Sequence, residues 1–375
     1  MEKLKDSKVQ PSEKVGGELT FLLGGLQGGG AERVATLLID EWLSKGVSIN
    51  LITMRGPEKD AHSLPMGVNR IILGGEGESK NKFTALIKNF IYLFKVRKAI
   101  RQTGGNTVIS FLTRANIYAI LACFGLKKHL IISERNDTTR QTLDWPWKAL
   151  REKLYKHADV VTANSHIALE SMKEYVPETK LKKVPNPLNI PDIENISVPE
   201  KSNIILNVAR LTAHKRQSLL IDSVSLLHDS FELCSLVILG EGEERSNLEE
   251  QADRLNIDHQ VTMPGYVQNV SEYYKNAAMF ILPSEYEGTP NVLLEAMAHG
   301  LPCIVSDSLP GALELMKEGD SGLVFKSNDP GDLRDKIRLL IENPDLRAKM
   351  GMAGREAVSE FSTEKVVRIW EENFV

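Results

Sequence analysis

Two glutamates, Glu287 and Glu295, stand eight residues apart in PSEYEGTPNVLLEAMAHG, which runs from Pro283 to Gly300. Thr289 is of a type that caps a helix and Pro290 suits a first helical position, so Glu287 precedes a helix and Glu295 lies one turn inside it. Around Glu295 stand Val292, Leu293, Leu294, Ala296 and Met297. A carboxylate among such neighbours is costly unless hydroxyls or cations bind it, and a ribose diol would suit. Glu287 is placed to reach a sugar hydroxyl, and the backbone of 290–292, where 291 and 292 carry N–H groups, would welcome a phosphate. The competing reading is a pair of surface acids flanking a helix.

Two cations come earlier, in NVARLTAHKR (207–216). Arg210 falls just past a strand end and Lys215 near the next helix start. Arg as a rigid fork and Lys as a point charge can together neutralise a diphosphate; alone, they read equally as solvated surface charges. In MPGYV (263–267), Gly265 and the backbone of Tyr266 and Val267 are candidates to line a flat base. Near the start, GGLQGGGAERVA (24–35) joins a strand to a helix. Its glycines allow either a tight turn or close backbone approach to a phosphate or substrate. The G-x-G-x-x-G fingerprint is absent, the second strand ends ITMR with no acid for a ribose, and no G-x-x-x-x-G-K-[ST] occurs. No D-x-D cluster or His/Cys ligand spacing suggests a metal.

These residues need elements to hold them. Strands are expected at 19–23, 47–54, 107–112, 129–134 and 159–164, with helices at 31–45, 83–101, 116–124, 146–157 and 165–175. The proline-rich stretch KKVPNPLNIPDIENISVPEKSN (182–203) interrupts the alternation. Strands follow at 204–209, 234–240, 259–263, 279–283, 302–306 and 322–325. Helices fall near 215–228, 243–255, 270–276, 290–299, 310–317 and 330–342, and 362–374 is amphipathic. Two such α/β series mean two doubly wound parallel-sheet domains. The expected boundaries are a frayed segment at 1–16, a first domain at 17–187, a linker at 188–202, a second domain at 203–356 and a closing segment at 357–375. Ligands bind such sheets beyond the carboxyl ends of the strands, with the large cleft expected between the halves.

The chain has 375 residues, 42% hydrophobic and 26% charged, which suits a folded soluble protein. Cys123, Cys234 and Cys303 lie in apolar surroundings without ligand spacing, so free thiols in a reducing compartment are expected. No secretory signal precedes the first apolar run, and no stretch approaches a membrane span. The net charge of −4 hides an asymmetry. Residues 1–187 hold 29 Lys/Arg against 19 Asp/Glu, whereas 188–375 hold 17 against 31. The front half should favour an anionic partner. Its densest basic region, KNKFTALIKNFIYLFKVRKAIRQT (80–103), has seven basic residues and no acid. As a helix it sets Phe83, Leu86, Ile87, Phe90 and Phe94 on one face, with Lys88 and Lys95 roughly opposite and Lys98 at that side's edge.

Taken in order, GGGAER (28–33), NVARLTAHKR (207–216), PGYV (264–267) and the Glu287–Glu295 pair resemble the retaining glycosyltransferases of family 4 with the GT-B fold, over nearly the whole chain. The resemblance implies two Rossmann-like doubly wound parallel-sheet domains facing across a deep cleft. It gives Gly29 and Gly30 to the transferred sugar or diphosphate, Arg210 and Lys215 to the diphosphate leaving group, Glu295 to the ribose and Glu287 to donor-sugar hydroxyls. The backbone through Gly288, Thr289, Pro290 and Asn291 would lie along sugar and phosphates, and the segment with Trp370 would cross back to the first domain. It implies no metal and no cofactor, only the nucleotide-sugar substrate. Many relatives carry a histidine near the end of the fourth strand; here that region reads SERNDTTR (133–140), where Arg135 or Asn136 would shape the acceptor site. Arg33, Arg114, Lys88 and Lys95 are further acceptor-side candidates.

The implied activity is transfer of a hexose or N-acetylhexosamine from a nucleotide-diphosphate sugar, with UDP the expected nucleotide. The acceptor would be a glycan, lipid-linked through pyrophosphate, and an α-glycosidic bond would form in bacterial surface polysaccharide, O-antigen or lipid-linked oligosaccharide synthesis. Some relatives with similar loops transfer N-acetylgalactosamine. The basic helix would grip a lipid diphosphate or rest on an anionic membrane; a merely solvated basic face is the alternative. The expected location is cytoplasmic, with peripheral contact at the inner face of the cytoplasmic membrane, as a monomer or weak dimer. An acidic chain without a long aromatic-lined basic groove argues against nucleic acid. A sugar-nucleotide epimerase of the same architecture is the enzymatic rival, and a non-catalytic nucleotide-sugar binder is the other.

Overall fold

In a computed structural model, residues 17–27, 29–60, 63–74, 82–135, 138, 141, 143–191, 203–227, 234–317 and 319–374 are described, with the backbone alone for 59 and 82–86. The chain divides into two compact units. One runs through Val184 and takes in the segment from Val367; the other is Pro185–Val366.

The first unit follows the order β1 (Glu18–Leu23), α1 (Gly30–Ser44), β2 (Ser48–Thr53), β3 (Asn69–Ile72), α2 (Lys82–Gln102), β4 (Thr107–Phe111), α3 (Thr113–Cys123), β5 (His129–Glu134), α4 (Trp145–Leu154), β6 (Val160–Ala163), α5 (His166–Glu170) and β7 (Leu181–Lys183). Its strands form one parallel sheet in the order β3-β2-β1-β4-β5-β6-β7. The central strands are buried on both faces, which is why they read as near-continuous apolar runs. Between β1 and β4 the winding reverses direction, leaving the loops after those strands at the switch point.

The second unit repeats the scheme with β8 (Ile204–Val208), α6 (Gln217–Ser225), β9 (Ser235–Leu239), α7 (Arg245–Arg254), β10 (Val261–Gly265), α8 (Val270–Asn276), β11 (Met279–Leu282), α9 (Asn291–Ala298), β12 (Cys303–Ser306), α10 (Pro310–Leu313), β13 (Gly322–Phe325), α11 (Pro330–Glu342), α12 (Pro344–Val358) and the start of α13 (Thr363–Glu371). The parallel order is β10-β9-β8-β11-β12-β13. Its switch point lies between β8 and β11, so the loops carrying Arg210 and Glu287 leave adjacent strand ends.

Several elements depart from the sequence reading. Strands β3 and β7 were not expected; they are short edge strands of mixed exposure, NRII and LKK. No element was assigned to 343–361, which holds α12. That helix turns Arg347, Met350, Gly351, Gly354 and Val358 inward, so its buried face carries little apolar signal. Gly351 is needed there because a Cβ would meet the carbonyl of Gly300 at 1.8 Å. Leu188, where the linker was expected to begin, is instead buried and bridged in parallel to Ser362 within the second unit. The remainder of that stretch, 192–202, and the expected frayed segment 1–16 lie outside the described residues.

Helix α2 differs in its faces. Tyr92, Val96, Ala99 and Ile100 are buried, whereas Ile87, Phe90, Ile91 and Phe94 are exposed. Lys98 follows Ile87 by eleven residues, close to three whole turns, and so continues the aromatic line rather than edging the opposite side; Lys88 and Lys95 flank that line. The segment from Val367 completes the first unit's core. Trp370 is wholly buried, with its ring 6.4 Å from that of Trp42 and 5.8 Å from that of Phe111. Trp42 Nε1 donates to the Glu371 carboxylate at 3.1 Å, and His129 Nε2 lies 2.8 Å from the Asn373 carbonyl.

Candidate active site

The loop after β8 is built to present cations. Leu211 is buried and anchors it, while Arg210 at its rim is exposed. Gln217, the first residue of α6, donates from its side chain to the Arg210 carbonyl at 3.1 Å. A single turn of 3-10 helix, Ala213–Lys215, then carries Lys215. It is reversed by Arg216, a non-glycine residue at φ 54°. Holding a residue with a Cβ in the left-handed region costs on the order of 1–2 kcal/mol, a form of strain that clusters at functional loops.

The loop after β11 meets it residue for residue. The Glu285 amide donates to the His214 carbonyl at 2.8 Å. Arg216 pairs with Glu285 at 3.3 Å. The rings of His214 and Tyr286 stack at 4.7 Å and 14°. Lys215 forms an ion pair with Glu287, with the two side chains only 17% and 16% exposed. Ser284 Oγ donates to the same Glu287 oxygen at 2.9 Å. Burial first, and then the neighbouring Lys215 ammonium, push the His214 pKa below its usual value. At neutral pH the imidazole is therefore uncharged and takes part in the stack without adding positive charge.

Helix α9 begins at Asn291, with Pro290 as its N-cap and no side-chain capping bond. Thr289, expected as the cap, falls one residue too early because Pro290 itself adopts the extended conformation. This end is the positive pole of an apolar helix. Glu295 is 7% exposed, and the Tyr274 hydroxyl donates to its carboxylate at 3.3 Å. Tyr274 also stacks on His299, whose Nδ1 lies 2.8 Å from the Glu295 carbonyl. Gly265 closes β10 at φ 82°, followed by Tyr266, 77% exposed, and Val267.

Four supporting residues escaped the sequence reading. A Cβ on Gly240 would meet the Ala209 carbonyl at 2.0 Å, and one on Gly242 the Leu211 carbonyl at 2.1 Å. The G-E-G after β9 therefore clasps the Arg210 loop, and its position just past a strand end was the available signal. A Cβ on Gly311 would lie 2.2 Å from the Gly288 carbonyl. Asn186, buried, donates to the Asn291 side chain at 2.5 Å.

In the first unit, Gly29 caps α1 and its amide donates to Glu32 at 2.8 Å; Gly30 and the exposed Arg33 follow in the first turn. Gly28 and Asn136 lie outside the described residues. Arg114 pairs with Asp144 at 3.6 Å and covers the Trp147 ring. Lys95 Nζ donates to the Leu73 carbonyl at 3.0 Å, and Lys88 is exposed one face round. Arg135 is set inward rather than at a rim. Its guanidinium lies between the Phe111 and Trp370 rings, at 5.4 and 5.6 Å, and donates to the Val184 carbonyl at 3.1 Å. Burial pulls its pKa down to about 9. Beside it, Glu134 is wholly buried and accepts from Thr113 Oγ1 at 2.8 Å and the Tyr155 hydroxyl at 2.7 Å. Burial raises its pKa above the usual carboxylate value against the pull of those bonds.

Two sequence families divide the chain between them. The family described as Glycosyltransferase Family 4 matches residues 28–190, and that described as Glycosyl transferases group 1 matches residues 190–357. The chain is a glycosyltransferase of the GT-B fold, resembling the bacterial family 4 enzymes of polysaccharide assembly. Among its relatives is the GalNAc-alpha-(1->4)-GalNAc-alpha-(1->3)-diNAcBac-PP-undecaprenol alpha-1,4-N-acetyl-D-galactosaminyltransferase of Campylobacter jejuni, 27% identical, with 94% of this chain and 97% of that protein covered. The lipopolysaccharide 1,6-galactosyltransferase of Salmonella typhimurium is 28% identical over 66% of this chain and 67% of its own length. The crystal structure of Anabaena HepE in complex with UDP shares the fold at TM-score 0.78 and 16% identity, covering 95% of this chain and 98% of that one. Among the described residues of this glycosyltransferase, no group of three or more His, Cys, Asp or Glu is placed to hold a metal ion. No helix among them is long and apolar enough to cross a membrane.

Proposed function

We propose that this glycosyltransferase retains anomeric configuration, takes its sugar from a UDP-linked donor and adds a hexose or N-acetylhexosamine to a lipid-linked glycan. The observation that carries the reading is the convergence of Lys215 and Glu287 from the two switch-point loops of the second unit. A donor presents complementary groups to such a pair. Its diphosphate competes for the Lys215 ammonium while its sugar hydroxyls compete for the Glu287 carboxylate. Arg210 at the same loop rim and the dipole at the N-terminus of α9 add to the field that stabilises charge on the leaving diphosphate. Glu295, buried and already accepting from Tyr274, is suited to a ribose diol, and the Gly265–Val267 backbone to the base. In the first unit, Gly29 and Gly30 at the opening of α1 carry no side chain that would keep a phosphate or sugar oxygen from the backbone.

In the retaining reaction the bond from the anomeric carbon to the diphosphate oxygen breaks as the acceptor oxygen attacks from the same face. The acceptor proton passes to the departing phosphate oxygen. Every charge in this sequence is met by Arg210, Lys215 and the helix end, so no metal is called on. The Campylobacter relative, whose name specifies an undecaprenol diphosphate carrier, supports a lipid-linked acceptor, and the Anabaena structure with UDP supports the nucleotide. Such an acceptor would bring the protein to the inner surface of an anionic membrane.

Saturation-transfer NMR of the purified protein against UDP- and GDP-sugars tests the donor. Incubation of the bound sugar nucleotide with a lipid-linked glycan, followed by the anomeric coupling constant of the product, tests stereochemistry. A β-linked product would refute retention, and absence of binding to every sugar nucleotide would refute the donor assignment.

A further inference from the structure

Helix α2 carries two apolar faces, and only one of them is used by the fold. Tyr92, Val96, Ala99 and Ile100 face the first unit's core. The other face exposes Ile87 to 45%, Phe90 to 62%, Ile91 to 52% and Phe94 to 58%. The rings of Phe90 and Phe94 meet edge to face at 4.8 Å, forming one continuous aromatic ridge. Phe124, 75% exposed at the end of α3, stands beside the same helix, because Arg97 of α2 donates to the carbonyls of Ala122 and Phe124 at 2.6 and 2.7 Å. Apolar ridges of this kind are rare on surfaces that meet only water.

What surrounds the ridge says what covers it. One and two turns beyond Phe94 on the same line stand Lys98 and Arg101, both exposed. Lys88 and Lys95 flank it on one side and Arg97 on the other. The sequence from 80 to 103 has seven basic residues and not one acid. A protein partner would need a dense acidic rim around an apolar groove. A bilayer with anionic headgroups supplies both layers at once, with acyl chains for the aromatic side chains and phosphates for the cations, whose long stems can snorkel.

We propose that α2 lies in the plane of an anionic bilayer with Phe90, Ile91 and Phe94 inserted below the headgroups and Phe124 as an accessory anchor. Lipid contact is thus made first by the aromatic ridge, with Lys88, Lys95, Lys98 and Arg101 as its headgroup rim. The proposal names the membrane-contacting surface behind the lipid-linked acceptor reading. It rests on that reading for its purpose and on the exposed ridge for its substance.

The test is co-sedimentation with phosphatidylglycerol–phosphatidylcholine vesicles. The wild-type protein should bind them, and a residue of that binding should survive about 1 M salt, where screening removes attraction between exposed charges. The double variant Phe90→Ser/Phe94→Ser should partition about tenfold less or worse, with an unchanged thermal midpoint, since neither side chain is buried. In a Phe94→Trp variant, lipids brominated along the acyl chain should quench the indole emission, and lipids brominated in the headgroup should not. Wild-type partitioning of the Ser variant, unquenched emission, or absence of vesicle binding by the wild type would each overturn the proposal. So would a lipid-free dimer, by sedimentation velocity, that the Ser variant abolishes, because the ridge would then belong to a second copy. Transfer to a short water-soluble acceptor should be unaffected in the Ser variant. Failure of the wild type to transfer to any acceptor would count against the catalytic reading and leave the vesicle result standing.

Discussion

Lys215 and Glu287, 72 residues apart in sequence, hold one ion pair between the two loops that leave the second unit's switch point. Neither charge is well hydrated, and Ser284 shares the carboxylate. Removing one partner therefore strands the other and frees the loop that carries it. Lys215→Ala and Glu287→Ala should each lower turnover by about 10²–10³-fold, with far-ultraviolet dichroism unchanged. The charge swap Lys215→Glu/Glu287→Lys should restore loop order without restoring transfer, because the ammonium would then sit on the wrong loop. Radiolabelled sugar transfer checks all three.

Glu295 offers a separable effect. Its proposed partner is the ribose, which is not changed by the reaction. Glu295→Gln should then raise the donor KM by about tenfold to a hundredfold while kcat stays near wild type, the pattern of an interaction made equally in ground and transition states. A fall in kcat alone would refute the ribose assignment.

Gly311 keeps α10 against the backbone of Gly288. With a Cβ at 2.2 Å from that carbonyl, Gly311→Ala must displace the loop between Glu287 and Asn291. The cost should be about 1–3 kcal/mol in urea unfolding, accompanied by weaker donor binding in the same NMR screen.

Glu134 should leave a mark on the pH dependence of stability. Its pKa is raised in the folded protein by burial. Its contribution is thus complete below the unfolded-state value and is lost as pH rises through the folded-state value. Glu134→Gln retains an acceptor for Tyr155 and Thr113 without the charge. Its denaturation midpoint should accordingly flatten across that window, and the wild type should lose ground to it as pH rises. Parallel profiles would rule out a titrating Glu134.

Much of the fold was legible because its central strands are buried on both faces and read as plain apolar runs. What escaped was physically quiet. NRII and LKK are edge strands with water on one side, and α12 faces the core with glycines and a buried arginine whose guanidinium donates to the Leu340 carbonyl. The residues of the site could be found individually, since glutamates and cations at strand ends advertise themselves. Their pairing could not, because nothing local in AHKR or SEYEG states that one loop will zip onto the other. The surroundings of Arg135 were hidden for a related reason, since the two aromatic rings that cover it come from distant segments.

Trp370→Ala should be among the most destabilising single changes in the first unit, costing about 3–5 kcal/mol by urea unfolding, because the ring is wholly buried and one face of Arg135 loses its cover.

The placement of that tryptophan also ties the first unit to the far end of the chain. The first unit takes its closing segment from Val367 onward, whereas the second is a single run from Pro185 to Val366. The first unit therefore cannot close without the segment that carries Trp370, whose indole fills the space between Trp42 and Phe111. A chain cut short before that segment would leave the Trp42 and Phe111 rings facing water, an apolar socket of the kind that drives aggregation.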